Sequence, residues 1–255
     1  MRCRSPLRLK PVTRPRFPPA PLVQSCATGR EVRLGVFRVT PSALLPPAGR
    51  SGRTCTPPSP TSPPPDPVGR PARGQNYGIN CGYWTSEFGS LNQIWHLWKY
   101  DSFDERTRLR TELQKNTDWT QKYIPIVKTC VIRQDLRLMN PVVDIKPSDG
   151  TTGNVYELRI YTCNLGGAVQ YGKDFKEVQA AREKYSPIWG AWTGEFPQPN
   201  EWIHMWRYKN LEERFKARSD AMKDPAWQAY LAKGPSKLVS MFSTLLMPTN
   251  YSPLK

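Results

Sequence analysis

Two stretches of this chain share one pattern of apolar and polar positions. Residues 82–106 (GYWTSEFGSLNQIWHLWKYDSFDER) and 190–214 (GAWTGEFPQPNEWIHMWRYKNLEER) align at a constant offset of 108, with no gap. Among the matches are Gly82/Gly190, Trp84/Trp192, Glu87/Glu195, Phe88/Phe196, Asn92/Asn200, His96/His204, Trp98/Trp206, Tyr100/Tyr208 and Arg106/Arg214. A self-match of this length marks an internal repeat of one structural unit.

The second copy reads through completely. Val155–Cys163 alternates as a strand, and Ala168 to about Lys184 has helical spacing that ends at Ser186-Pro187. Ile188–Phe196 and Glu201–Tyr208 form a hairpin across Pro-Gln-Pro-Asn. Asn210, with Glu213 three residues on, caps a helix to about Lys223, and Asp224-Pro225 opens a shorter one. Lys237–Met247 is a closing strand. The order strand, helix, strand, strand, helix, strand folds as a four-stranded antiparallel sheet with both helices on one face. Its bare face needs cover, and two such units can bury those faces against each other as an α/β barrel.

The first copy has its hairpin at Ile79–Tyr100, a cap at Ser102 and Glu105, and a last strand at Thr129–Leu138. Its first strand should begin near Pro47, where the chain instead reads PAGRSGRTCTPPSPTSPPPDPVGR. Such a run suits neither strand nor amphipathic helix. Val32–Thr40 is strand-like, but no helical pattern follows it. The expected fold class is therefore α+β: two tandem ferredoxin-like units of the dimeric α/β-barrel type, the first lacking its first strand and helix. The expected division is 1–75 as a disordered basic, proline-rich segment, 76–140 as the truncated first unit, 141–153 as linker and 154–255 as the complete second unit. An alternative first exon or an error in the gene model would replace the missing elements in this way.

Composition supports that division. Of 255 residues, 37 are Lys or Arg and 21 Asp or Glu, a net +16. Residues 1–75 hold 17 of the 27 prolines and two of the 28 aromatics, too little apolar surface to offset the entropy of ordering. No run approaches the ~18 apolar residues of a membrane span. The six scattered cysteines and two histidines offer no zinc spacing and read as reduced thiols, and no metal or cofactor is expected. P-loop, GxSxG and GxGxxG patterns are missing from the sequence, which removes the starting evidence for those enzyme classes. The aromatics lie in strands of the folded part, with only Phe17 and Phe37 in the basic segment, so no stacking platform is visible and no specific nucleic-acid partner is expected. An Arg-rich, acid-poor start fits a mitochondrial presequence in composition, while its prolines oppose the usual amphipathic helix.

The hairpin, VYELRIYTC and the ending LLMPTNYSPLK resemble the NIPSNAP proteins, closest to their third-numbered vertebrate paralogues, over about residues 78–255. The resemblance implies a tandem pair of dimeric-α/β-barrel domains and a mitochondrial location. It also implies work through protein partners, such as vesicular-traffic or autophagy factors. No settled catalytic activity comes with it. Self-association is the other candidate partnership, since a tandem pair either closes on itself or recruits a second chain.

Candidate chemistry falls on one strand face. Asn92, His96, Trp98 and Tyr100 share it in the first copy, and Asn200, His204, Trp206 and Tyr208 in the second. Two readings stand. The face lines a cavity between the two sheets, where histidine and tyrosine bind or protonate a small ligand, as in an oxidative enzyme of the barrel type. Alternatively, it forms a packed, hydrogen-bonded layer within each unit, the commoner fate of a buried histidine. An open cavity of a few hundred Å³ beside a histidine would favour the enzyme, and a filled layer would remove it. Glu87 and Glu195 precede the hairpin turns as candidate acids, a thin set for a metal.

Overall fold

The computed structural model describes residues 72–255 in full and the backbone of 31–39. Eight strands close into an antiparallel barrel in the order β1-β3-β2-β8-β5-β7-β6-β4. The first half of the chain supplies β1 (Glu31–Val39), β2 (Ile79–Phe88), β3 (Gln93–Tyr100) and β4 (Val131–Val143), with helix α1 at Phe103–Leu113. A π-helical turn at Asp118–Tyr123 runs into α2 at Ile124–Cys130. The second half supplies β5 (Val155–Cys163), α3 (Gly167–Glu183), β6 (Ile188–Phe196), β7 (Glu201–Tyr208), α4 (Leu211–Ala221), α5 (Pro225–Ala232) and β8 (Leu238–Pro248). Around the barrel, β4-β1-β3-β2 is followed by β8-β5-β7-β6, so both halves keep one internal order. The seams are β2–β8 and β4–β6.

The caps form as the residues dictate. Ser102 Oγ accepts from the Glu105 amide at 3.0 Å, and Glu105 accepts from the Asp101 amide at 2.7 Å. Asn210 and Glu213 repeat that reciprocal pair at 2.8 and 3.1 Å, closing a capping box at each helix start. Asp224 accepts from the Ala226 amide ahead of Pro225.

Three expectations need correction. The first half does not lack a first strand. Residues 31–39 occupy its central slot, paired with β3 from Glu31↔Tyr100 to Arg38↔Gln93 and with β4 on the other side. Alternation in that short run suffices, because a sheet slot demands pleated backbone with neighbours on both edges. The last strand of this half starts at Val131 and continues to Val143, inside the expected linker, because Pro141 and Val143 still find partners in Trp192 and Ala191. The folded part also begins before residue 76. Ala72 is buried, and the Arg73 guanidinium lies 3.4 Å above the Trp98 ring and donates to Tyr100 Oη at 2.7 Å. The expected disorder, and the expected absence of a first helix, otherwise fall on residues outside those described.

Two apolar layers result. One contains only strand and C-terminal residues from both halves, among them Trp84, Trp95, Leu97, Met139, Leu158, Ile203, Met205 and Leu246. This is the barrel interior. The other joins strand residues Trp202, Trp206 and Tyr208 to Tyr171 and Phe175 of α3, Ala217 of α4 and Tyr230 of α5. It lies between sheet and helices.

Candidate functional site

The repeated strand face belongs to the sheet–helix layer. On β7, Trp202, His204, Trp206 and Tyr208 are all buried. Trp206 Nε1 donates to His204 Nδ1 at 2.6 Å, and the imidazole stacks on Trp202 at 5.9 Å and meets Tyr161 edge-on at 5.0 Å. An accepting Nδ1 fixes His204 as the neutral Nε2–H tautomer. Burial, reinforced by the Arg159 charge, holds its pKa well below the usual histidine value. In the first half, His96 stacks on Tyr83 at 5.2 Å, and burial with Arg73 and Arg110 nearby lowers its pKa to about 3. Arg182 completes the parallel. Its guanidinium lies 4.3 Å over Trp206, as that of Arg73 lies over Trp98, and donates to Ser186 Oγ at 2.8 Å. Both histidines are buried against aromatic rings on this face.

The remaining candidates lie elsewhere. Asn92 sits at φ +56° at the β2–β3 hairpin turn and is exposed. Asn200 is half-buried at the β6–β7 turn and accepts from the Gly166 amide at 3.3 Å. Glu87 and Glu195 are exposed at the strand ends, and Asn140 donates to Glu195 at 3.0 Å. Neither glutamate meets a histidine. Among the described residues no group of three His, Cys, Asp or Glu could hold a metal.

A cavity of about 270 Å³ does exist, on the opposite face of the same strands. It opens at the barrel mouth, with both halves contributing: Gln93 and Trp95 of β3, Arg137 of β4, Thr162 of β5, Glu201 of β7 and Phe242 of β8. Arg137 clamps Glu201 with two hydrogen bonds, Nε–Oε2 at 2.8 Å and Nη2–Oε1 at 3.2 Å. Trp95 and Phe242 lie nearly parallel, centroids 6.4 Å apart. Sequence reasoning missed this face because it followed the positions that match between copies. Gln93, Trp95 and Leu97 do not match Glu201, Ile203 and Met205. The available signal was the unequal chemistry itself: a cavity between unlike halves is lined by positions where the copies differ.

A third cluster lies on the outer face of β5. The Glu157 carboxylate, about 1% exposed, takes two bonds from Arg214 at 2.7 and 3.0 Å and one from Arg159 at 2.8 Å, with Arg218 at 3.6 Å. Burial alone would raise its pKa, but the Arg214 bonds and the Arg218 and Arg159 charges hold it at about 2.

The family model described as NIPSNAP matches residues 70–145 and 156–253. The chain belongs to the NIPSNAP family. This NIPSNAP chain is 31% identical to Protein NipSnap homolog 3B of Mus musculus, covering 68% of this chain and 72% of that one. It is 32% identical to Protein NipSnap homolog of Dictyostelium discoideum, covering 69% and 78%. Among solved structures it is similar to a putative monooxygenase from Lactobacillus acidophilus, with TM-score 0.58 and 12% identity over 86% of this chain and 94% of that chain. An anthrone oxidase-like protein aligns with TM-score 0.54 and 10% identity over 89% and 94%. At those identities the likeness is one of fold. No described helix is long and apolar enough to cross a membrane.

Proposed function

We propose that this NIPSNAP chain is a non-enzymatic mitochondrial protein, built as two tandem ferredoxin-like units, that works through contacts with other proteins in vesicular traffic or mitophagy signalling. The observation that carries this reading is the pair Phe88 and Phe196. They hold the same place in the two copies, at the two hairpin ends, and are 59% and 63% exposed. An aromatic kept twice and left in solvent serves no core, and such residues are enriched at contact surfaces. The buried histidines support the same view, since a neutral imidazole sealed between sheet and helices has no route to a substrate proton. Vesicular traffic and mitophagy enter through the family resemblance alone.

Proximity labelling in intact cells, with full-length wild type beside a Phe88→Ser/Phe196→Ser double variant, tests this. The expected result is mitochondrial labelling with a defined protein set that shrinks in the double variant while thermal unfolding is unchanged. An identical labelled set, or labelling outside mitochondria, contradicts it.

A second reading is small-molecule binding. The barrel-mouth cavity favours it, because that space is close to the ~300 Å³ at which ligand pockets begin. It requires no histidine.

A further inference from the structure

We infer that Thr249–Lys255 is a plug that opens independently of the barrel, and that the mouth beneath it binds a small branched aliphatic molecule carrying a carbonyl oxygen. This mouth is where β5 starts, at the opposite end of the strands from the cavity lined by Thr162 and Glu201.

β8 ends at Pro248, and the residues after it form no strand. They fold back over the barrel end. The Thr249 amide donates to the Tyr83 carbonyl at 3.0 Å, and the Tyr83 amide donates to Ser252 Oγ at 2.9 Å. The Tyr251 ring meets that of Tyr83 edge-on, centroids 5.5 Å apart. Leu254 then enters the barrel interior, 3% exposed and in one apolar cluster with Trp84, Tyr156 and Trp189. One residue on, the main-chain oxygen of Lys255 accepts from Asn154 Nδ2 and from Tyr156 Oη, the latter at 3.4 Å. Asn154 and Tyr156 are both buried.

Two buried donors that meet on one oxygen, beside an interior that holds a leucine, make a built site with its occupant in place. The occupant shows what the site accepts. Burial of a branched alkyl group supplies the favourable free energy, and the oxygen satisfies donors that would be costly to leave unmet. Charge is not what the site reads. Arg207 and Asp149, the charges that act on Tyr156, are bonded to each other at 2.6 Å. The Lys255 ammonium is bonded to the Thr249 carbonyl at 3.2 Å and leaves with the plug.

The way the plug is held permits that exchange. The same mouth is also crossed by the β4–β5 connection, whose Lys146 amide donates to the Trp189 carbonyl at 2.9 Å and whose Ile145 packs on the interior. That connection is fixed by a strand at each end. Among the described residues the plug hangs from β8 alone, so lifting it breaks no strand pairing. Segments held in this way open at lower free energy than core strands.

Native-state amide exchange on the full chain, followed by 1H–15N correlation, tests both parts. The Thr249, Ser252 and Tyr83 amides should exchange about 100-fold faster than those of Leu158 and Ile203. The ligand probe is 4-methylpentanamide, with acetamide (no branched alkyl group) and 4-methyl-1-pentene (no oxygen) beside it. The expected result is a saturable shift of the Asn154 side-chain amide with 4-methylpentanamide, together with faster exchange at Tyr83 as the plug is displaced. Leu254→Ser, which loosens the plug, should raise the affinity by about tenfold, and neither control should saturate. Plug amides that exchange only as slowly as Leu158 overturn independent opening, and wild type alone decides this whether or not the variant folds. Fast exchange without a saturable shift in wild type overturns the binding site. Saturation by 4-methyl-1-pentene with equal affinity overturns the role of Asn154 and Tyr156 in reading an oxygen.

Discussion

The indole of Trp192 lies across Gly190, two residues earlier on the same strand, so closely that a methyl on Gly190 would sit 2.5 Å from ring atom Cζ2. Gly82 and Trp84 repeat the relationship in the other half, with a methyl on Gly82 closer still to the ring. Both tryptophans are fully buried in the barrel interior. The repeated Gly-x-Trp is therefore one packing unit used twice. Gly82→Ala and Gly190→Ala should each destabilise the fold by about 1–3 kcal/mol through overpacking. Urea unfolding of the two variants measures this, and unchanged midpoints would contradict it.

Glu157 organises the second half, and its replacement should be costly. Glu157→Gln leaves Arg159, Arg214 and Arg218 facing one another around a neutral group, with an expected loss of about 3–5 kcal/mol. The first half differs in an instructive way. Glu157 pairs with Trp206, and the residue paired with the equivalent Trp98 is Arg33. Arg106 and Arg110 stand where the second half has Arg214 and Arg218. Urea unfolding of Glu157→Gln measures this loss, and an unchanged midpoint would contradict it.

Arg137 and Glu201 join β4 to β7 across the barrel mouth. Removing either partner strands the other charge, so Arg137→Met and Glu201→Gln should each cost about 3–5 kcal/mol. The double variant should cost much less than the sum of the two. A double-mutant cycle in urea checks the coupling. Additive losses would mean that the clamp is not formed in solution.

Stability should fall on mild acidification. Both imidazoles are held neutral in the folded state, His96 to about pH 3, whereas the unfolded chain protonates them below about 6.5. Their contribution is complete above that value and drains by ~1.4 kcal/mol per pH unit per histidine as pH falls towards the folded values. Glu157 adds a loss of the same sign below about 4.5, as pH falls towards its folded value of about 2. Urea titrations should lose about 2–3 kcal/mol between pH 7.5 and 5.5. That slope should shrink in His96→Gln and His204→Gln. A flat profile would contradict neutral burial.

Much of the fold was legible because the second copy states it without gaps. Its strands, both capping boxes and the Asp224-Pro225 start follow from residues whose local chemistry permits little else. The first strand was harder. Val32–Thr40 was strand-like in isolation, but its place beside β3 and β4 is a long-range pairing that no local pattern specifies. Matching between copies led to one strand face only. It picks out what both halves need, which is the Trp–His–Tyr layer under the helices. The cavity is made of what each half does differently, Gln93 and Trp95 from one and Glu201 from the other.

The central claim is that the two histidines are structural, and the chain contains only these two. A long-range 1H–15N spectrum of the imidazoles therefore shows two rings, which can be followed from pH 8 to pH 5. The account predicts that neither ring titrates in that range and that His204 shows the Nε2–H tautomer with an accepting Nδ1. A ring that titrates near pH 6.5, the value of a solvated imidazole, would contradict it and return acid–base chemistry to this barrel.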